Sequence, residues 1–397
     1  MVDNLPLLPL HYCQTWLLLH DISTILCFII FIYTSHHYIY IYIYIYIYIY
    51  IYIKAIDLPT PLCTHLTTSA MASTPKEIAS EFLPFIRVYK DGTVERLMGS
   101  PYVPPSARDP ETGVSSKDII ISDNPKISAR LFLPQTLDQN VQNQKLPVLV
   151  YFHGGGFCFE SAFSSDHHRF LNRLVSKAQV VAVSVEYRLA PEVPIPICYQ
   201  DCWDALQWVA SHTENEDVGA ANKEPWLLNY GDFGKVYIGG DSAGGNIVHN
   251  IAMKAGTESS SVKLVGAFMS HTYFLSSKPL GSEPKGEEFK NYVPCMVWGF
   301  LNPSTPGGID SPMVNPAGPG APSLAGLGCS KLLVCVSSKD ELRDRGVWYY
   351  DLVKGSGFKG EVELFEVEGE EHAFHILSEA ETQNVKKMIN RLASFLV

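Results

Sequence analysis

From residue 147 onward the chain alternates between two kinds of apolar pattern. Pro147–Phe152, Val180–Val185, Lys235–Gly239, Val262–Met269, Lys331–Ser337 and Glu361–Val367 are short, nearly continuous apolar runs. Such runs suit strands covered on both faces. Between them, Asp166–Ala178, Asp201–His212, Gly245–Ala255, Asp344–Gly355 and Ala380–Leu396 carry apolar residues at helical spacing. Strands alternating with helices predict an α/β class: a mainly parallel central sheet with helices on both faces. Upstream, Phe85–Tyr89 and Val94–Leu97 flank Asp91-Gly92, a hairpin signal. Asp118–Ile121 and Ile127–Leu133 read as two more strands around Asn124-Pro125, and Glu77–Leu83 as a short helix stopped by Pro84. Residues 100–113 and 137–145 are polar and predict loops. Residues 271–323 break the alternation. They are rich in Pro and Gly, with a helix expected over Tyr292–Phe300, and are placed to form a lid over the strand ends together with the N-terminal segment.

The first seventy residues follow another pattern. Residues 17–53 are apolar and aromatic, and from Tyr38 to Ile53 tyrosine and isoleucine alternate strictly. A period of two does not suit a membrane helix, and His36 and His37 interrupt the apolar run before it. An AT dinucleotide repeat translated in frame gives Ile-Tyr. The expectation is therefore a non-domain extension over residues 1–70, read from untranslated sequence, with Met71 opening a single domain over 71–397. A membrane anchor and an organelle-targeting segment are the weaker alternatives; the stretch lacks the Arg-rich, Ser-rich character of a transit peptide.

Composition narrows the function. With 397 residues and 46% hydrophobic content the chain has ample material for a large core. A formal net charge of −11, without a long basic run, argues against nucleic acid as a partner. Nine cysteines without a paired spacing fit a reducing compartment better than a disulfide framework or zinc site. The doublet His167-His168 after Asp166 lacks convergent further ligands and reads as surface residues at a helix start, so no metal is expected. No nucleotide-binding fingerprint appears, and no cofactor is expected.

The chemistry centres on Gly240-Asp-Ser-Ala-Gly244, a Gly-x-Ser-x-Gly motif between the Lys235–Gly239 strand and the next helix. The motif places Ser242 on a tight strand-to-helix turn with its hydroxyl exposed, where the helix N-terminus favours negative charge. His153-Gly-Gly-Gly156 follows directly on a buried strand. Its glycines leave amides free, so Gly155 and Gly156, with Ala243 from the elbow, are the expected oxyanion donors, and His153 and Gly154 support the loop. After the last strand come His372 and His375. His372, nearer the strand end, is the expected base, and His375 a packed residue. Asp340 lies just past the strand Lys331–Ser337 and completes the chain order Ser, acid, His; Asp344 is the competitor. Glu368, Glu370 and Glu371 read as a solvated loop face.

Taken together, His153-Gly-Gly-Gly156, Glu186-Tyr-Arg-Leu-Ala-Pro-Glu192, Gly240-Asp-Ser-Ala-Gly-Gly-Asn246, Asp340 and His372 make residues 71–397 resemble plant carboxylesterases of the hormone-sensitive-lipase branch of the α/β-hydrolases. Segments such as residues 85–92, 109–118 and 224–229 are similar to 2-hydroxyisoflavanone dehydratases and their relatives. The resemblance implies an α/β-hydrolase fold and a carboxylesterase acting on small plant esters; with Met71 as the start, a cytoplasmic protein is expected, as a monomer or weak dimer. A dehydratase using the same site is the alternative. Related gibberellin receptors lack the catalytic histidine, and His372 argues against that role here. Thr272 stands where the family leads one to expect proline, and Ser337-Ser338 where Ala-Glu is expected, which bears on substrate preference.

Overall fold

The computed structural model describes residues 76–135, 145–213, 223–258 and 263–397. The expectation for residues 1–70, and nearly all of the loop expected over 137–145, lie outside these residues. The rest forms one compact unit whose centre is an eight-stranded sheet. Its strands are β4 (Ser115–Asp123), β5 (Lys126–Leu133), β6 (Leu146–Phe152), β7 (Val181–Glu186), β8 (Gly231–Asp241), β9 (Leu264–Ser270), β10 (Cys329–Ser337) and β11 (Glu361–Val367). They lie side by side in the order β11-β10-β9-β8-β6-β7-β5-β4. The six strands from β11 to β7 run parallel, while β5 and β4 are antiparallel to their neighbours. Every residue of β6 is buried, as its unbroken apolar run requires.

Helices α1 (Ser165–Ala178), α2 (Ile195–Ser211), α3 (Pro225–Tyr230), α4 (Ala243–Thr257), α5 (Val293–Leu301), α6 (Arg343–Gly355), α7 (Phe374–Leu377) and α8 (Gln383–Phe395) complete the order. The two sheet faces carry separate cores. α1 and α8 pack on one through Phe170, Leu174, Met388 and Leu392; α2 and α4 pack on the other through Leu206, Val209, Ile247 and Ile251. Among the described residues no helix is long and apolar enough to cross a membrane.

Two elements differ most from expectation. The segment expected to be a helix over Glu77–Leu83 is strand β1 (Ile78–Phe82), which pairs with β2 (Ile86–Tyr89); β2 pairs in turn with β3 (Val94–Arg96) across the expected Asp91-Gly92 turn. A partner strand next in sequence outweighs the weak helical propensity of a five-residue stretch. Helix α2 starts at Ile195, six residues before the expected Asp201, because Pro196 is tolerated in the first helical turn.

The expected lid segments are tied down beside the strand ends. Arg96 on β3 donates to both carboxylate oxygens of Glu192 at 2.8 Å and, through Nε, to the Cys158 carbonyl at 2.7 Å. Phe82 stacks on Phe85 and on Phe300 of α5, and Phe85 packs on Phe159. Glu283, within the insertion, forms a fully buried bidentate pair with Arg345 of α6, both contacts at 2.6 Å.

Candidate active site

Five adjacent strands deliver the chemistry at one edge of the sheet. The carboxyl ends of β6, β8, β9, β10 and β11 lead directly into His153-Gly156, Ser242, His271, Asp340 and His372. Ligands of open parallel sheets collect outside these ends.

Ser242 sits at φ 50°, ψ −116°, between β8 and α4. This conformation is rare for a residue with a Cβ and is held by its surroundings. Its N–H donates to the Ser270 carbonyl at 2.9 Å, and its own carbonyl accepts from Tyr273 and Asn246. The two motif glycines are sterically obligatory: a Cβ on Gly240 would lie 2.5 Å from the Gly244 backbone, and one on Gly244 would run into the Phe152 carbonyl. The serine is at the head of a fifteen-residue helix, where the helix dipole favours an anion.

The glycine loop approaches the elbow from β6. Gly155 and Gly156 take φ of 95° and 57°. The Gly154 N–H is bound to Asp241 Oδ1 at 2.9 Å. The amides of Gly155, Gly156 and Ala243 have no acceptor among the described residues, which leaves them available to a ligand. His153 is buried, stacks on Tyr187 at 4.2 Å and hydrogen-bonds the Gly154 carbonyl through Nδ1. Burial, then the neighbouring His167, lowers its pKa to about 4, so the ring is neutral.

Asp340 lies past β10, nearly fully buried. Its Oδ1 accepts from His372 Nδ1 at 2.9 Å and from the Leu342 amide at 2.9 Å. Burial alone would raise the Asp340 pKa, but the His372 charge and the hydrogen bonds from His271 and His372 hold it well below the usual range. A carboxylate only accepts, so the proton of neutral His372 is on Nδ1 and its Nε2 is free to take another. About a third of the His372 side chain (34%) is open to solvent, which gives a substrate access. Burial works against its imidazolium, but the Asp340 charge raises its pKa above the ordinary histidine value. His375 is fully buried, stacked on His271, as its expected packing role requires. Asp344 lies instead on α6, bound to Arg343 and Ser282. Glu368 and Glu371 are exposed and Glu370 is half-buried, bonded to Asn384.

One sequence expectation is overturned. His167 is not a surface residue but 2% exposed, with Nε2 3.3 Å from Asp241 and Nδ1 3.4 Å from Glu160. Burial would lower its pKa; the two carboxylates, Asp241 first, raise it to about 10. Asp241 also accepts from the Tyr151 hydroxyl at 2.6 Å. Glu160, Asp241 and protonated His167 thus form a charged network behind the glycine loop. The sequence hid it because its three members come from a loop, a helix start and the end of β8.

A second residue escaped the sequence. His271 donates through Nδ1 to the other Asp340 oxygen, Oδ2, at 2.8 Å. Its position one residue past a buried strand, at the same sheet edge as Asp340, is a signal that could have found it. His271, Asp340 and His372 place their polar atoms within 4.8 Å of one another, a spacing compatible with a metal ion. Both Nδ1 atoms face carboxylate oxygens at hydrogen-bond distance, however, so the arrangement is a hydrogen-bonded one in which both protons are in place.

A family described as the alpha/beta hydrolase fold matches residues 149–376. The 2-hydroxyisoflavanone dehydratase of Glycyrrhiza echinata is 54% identical over 334 residues, covering 84% of this chain and 100% of its own length. Hydrolase 3 of Catharanthus roseus is 48% identical over 331 residues, covering 82% of this chain and all of that protein. Among solved structures, an esterase of Pyrobaculum calidifontis superposes with a TM-score of 0.57 at 29% identity, over 71% of this chain and 84% of that one.

Proposed function

The chain belongs to the alpha/beta hydrolase family, among the plant carboxylesterases related to 2-hydroxyisoflavanone dehydratases, and from that premise we propose that Ser242, His372 and Asp340 are its catalytic triad for hydrolysing small-molecule carboxylic esters. The observation that carries the proposal is the His372 Nδ1 contact to Asp340 at 2.9 Å, at the same strand edge as a serine held at positive φ.

In this reaction Ser242 Oγ attacks the ester carbonyl carbon, and His372 Nε2 takes the hydroxyl proton. The negative charge that moves to the carbonyl oxygen is met by the amides of Gly155, Gly156 and Ala243. Collapse breaks the C–O bond, and the alcohol leaves with the proton from His372. Water then attacks the acyl-serine, gives its proton to His372, and releases the carboxylic acid as Ser242 recovers the proton. Asp340 holds the Nδ1 tautomer and balances the imidazolium throughout. Phe82, Phe85, Phe159 and Phe300 beside the glycine loop favour an aromatic or otherwise apolar group on the substrate.

Turnover of a short-chain p-nitrophenyl ester tests the assignment. Ser242→Ala and His372→Ala should each lose at least about 10³-fold in kcat, and a wild-type rate in either variant refutes it.

A dehydratase is the second reading, favoured by the likeness to the Glycyrrhiza protein. His372 would remove a proton next to a carbonyl, the same amides would hold the enolate, and hydroxide would leave. Incubation with a 2-hydroxyisoflavanone and detection of the isoflavone decides between the two. We further place the protein in the cytoplasm, as a monomer or weak dimer starting at Met71; the unpaired state of the six described cysteines supports a reducing compartment.

A further inference from the structure

Asp340 has two histidine partners, and the hydrolysis derived above uses one. His271 follows the last residue of β9, and its amide donates to the Cys335 carbonyl of β10 at 2.9 Å. Its φ of 53° is a left-handed conformation unusual for a residue with a Cβ. The ring is completely buried. Because Nδ1 donates to Asp340 Oδ2, the bare nitrogen of the neutral ring is Nε2, and this atom is buried without a partner among the described residues. Ser337 Oγ lies 3.4 Å from the same Nδ1. A buried polar group left half-satisfied on a strained backbone is a poor way to fill space. An apolar side chain would pack there without the orphan.

The surroundings keep the ring neutral. Asp340 and Glu341 follow β10, His372 and His375 follow β11, Asp241 lies at the elbow and His167 on α1. Among these, His375 stacks on His271 with centroids 5.3 Å apart, and burial holds both rings below the ordinary histidine value. His271 is thus a fixed neutral donor.

We propose that His271 is a positioning residue of the hydrolytic machinery: its Nδ1–H occupies Oδ2 of Asp340, turns Oδ1 toward His372, and tempers the pull of the carboxylate on the imidazolium. This rests on the reading of Ser242, His372 and Asp340 as the triad. A carboxylate relieved of the His271 hydrogen bond keeps more charge for its remaining partner. The His372 imidazolium is then favoured, and the base becomes available only at higher pH.

The test compares kcat/KM for a p-nitrophenyl ester against pH in the wild type, His271→Gly and His271→Asn, with Ser242→Ala as reference. Both substitutions tolerate positive φ. Glycine removes the donor, whereas the asparagine amide stands near the original Nδ1. In His271→Gly the acidic limb should move up by about one pH unit, with kcat about tenfold lower and KM little changed. His271→Asn should return the limb to its wild-type position. A limb that stays or moves down in a folded His271→Gly overturns the proposal. Proton NMR of the wild type gives a second decision. Among the downfield imidazole N–H resonances, to which His167 also contributes, one should vanish in His271→Asn and a different one in His372→Asn; a spectrum that loses none in a folded His271→Asn overturns it. Should Ser242→Ala keep the wild-type rate, it is the hydrolysis reading that has failed, and the paired resonances still decide the role of His271 as a donor to Asp340.

Discussion

Replacing His167 by glutamine would leave Asp241 and Glu160 buried without their shared cation. The side chains involved are 3%, 4% and 7% exposed, so solvent does little to compensate. Breaking a buried ion pair by removing one partner costs about 3–5 kcal/mol. At roughly 2–4 °C per kcal/mol for a large domain, His167→Gln should melt about 6–20 °C below the wild type near neutral pH. The sign of the pH dependence follows from the direction of the shift. The His167 pKa is raised from 6.5 to about 10 in the folded state, so its contribution is fully present below about pH 6.5 and is lost as pH rises toward 10. Thermal melts at pH 6 through 10 should therefore show the wild type losing stability faster than His167→Gln, with the gap closing at the alkaline end. A gap under about 1 kcal/mol at pH 7, or one that stays constant to pH 10, would refute the buried-cation assignment.

Four other outcomes are expected, three of them at the same site. Asp340→Asn should lower kcat by about 10⁴-fold with little change in KM, because an amide donor no longer fixes the His372 tautomer; ester kinetics on the folded variant check it. The acidic limb of kcat/KM in the wild type should lie above pH 6.5, since His372 must be neutral to act and its pKa is raised by Asp340. Gly156→Ala should remain folded at a cost of about 1–2 kcal/mol for its positive φ, because the added Cβ meets its nearest side chains at 3.6 Å; Gly155→Ala should fail to accumulate, because its Cβ would run into the Phe159 backbone. Urea melts and soluble yield separate the two. Intact mass of the native protein should give a chain starting at Met71 or the residue after it, and peptides from the Ile-Tyr repeat would refute that start.

What the sequence shows and what it hides divide along one physical line. Glycines and single residues at strand ends are local features: Gly240 and Gly244 exist because the elbow backbone leaves no room for a Cβ, and Asp340 and His372 are found by their place after β10 and β11. The alternating sheet is legible from another local feature, the short apolar runs and the helical spacing between them. Pairings between distant segments leave no such mark. His167 reads as polar at a helix start, and only the fold brings Asp241, 74 residues later, within 3.3 Å of it. His271 sits 69 residues before Asp340 and shares that carboxylate with His372 from a third strand. In both cases a buried charge is shared by groups that only the fold brings together from far apart in the chain. The Asp241 carboxylate that binds His167 also holds the Gly154 amide, and therefore the glycine loop. The glycine loop, through Asp241, and the Asp340 carboxylate are thus each bound by a buried histidine that local sequence cannot reveal. This predicts that His167→Gln should lower kcat as well as stability, through Gly154, at temperatures where the variant is still folded.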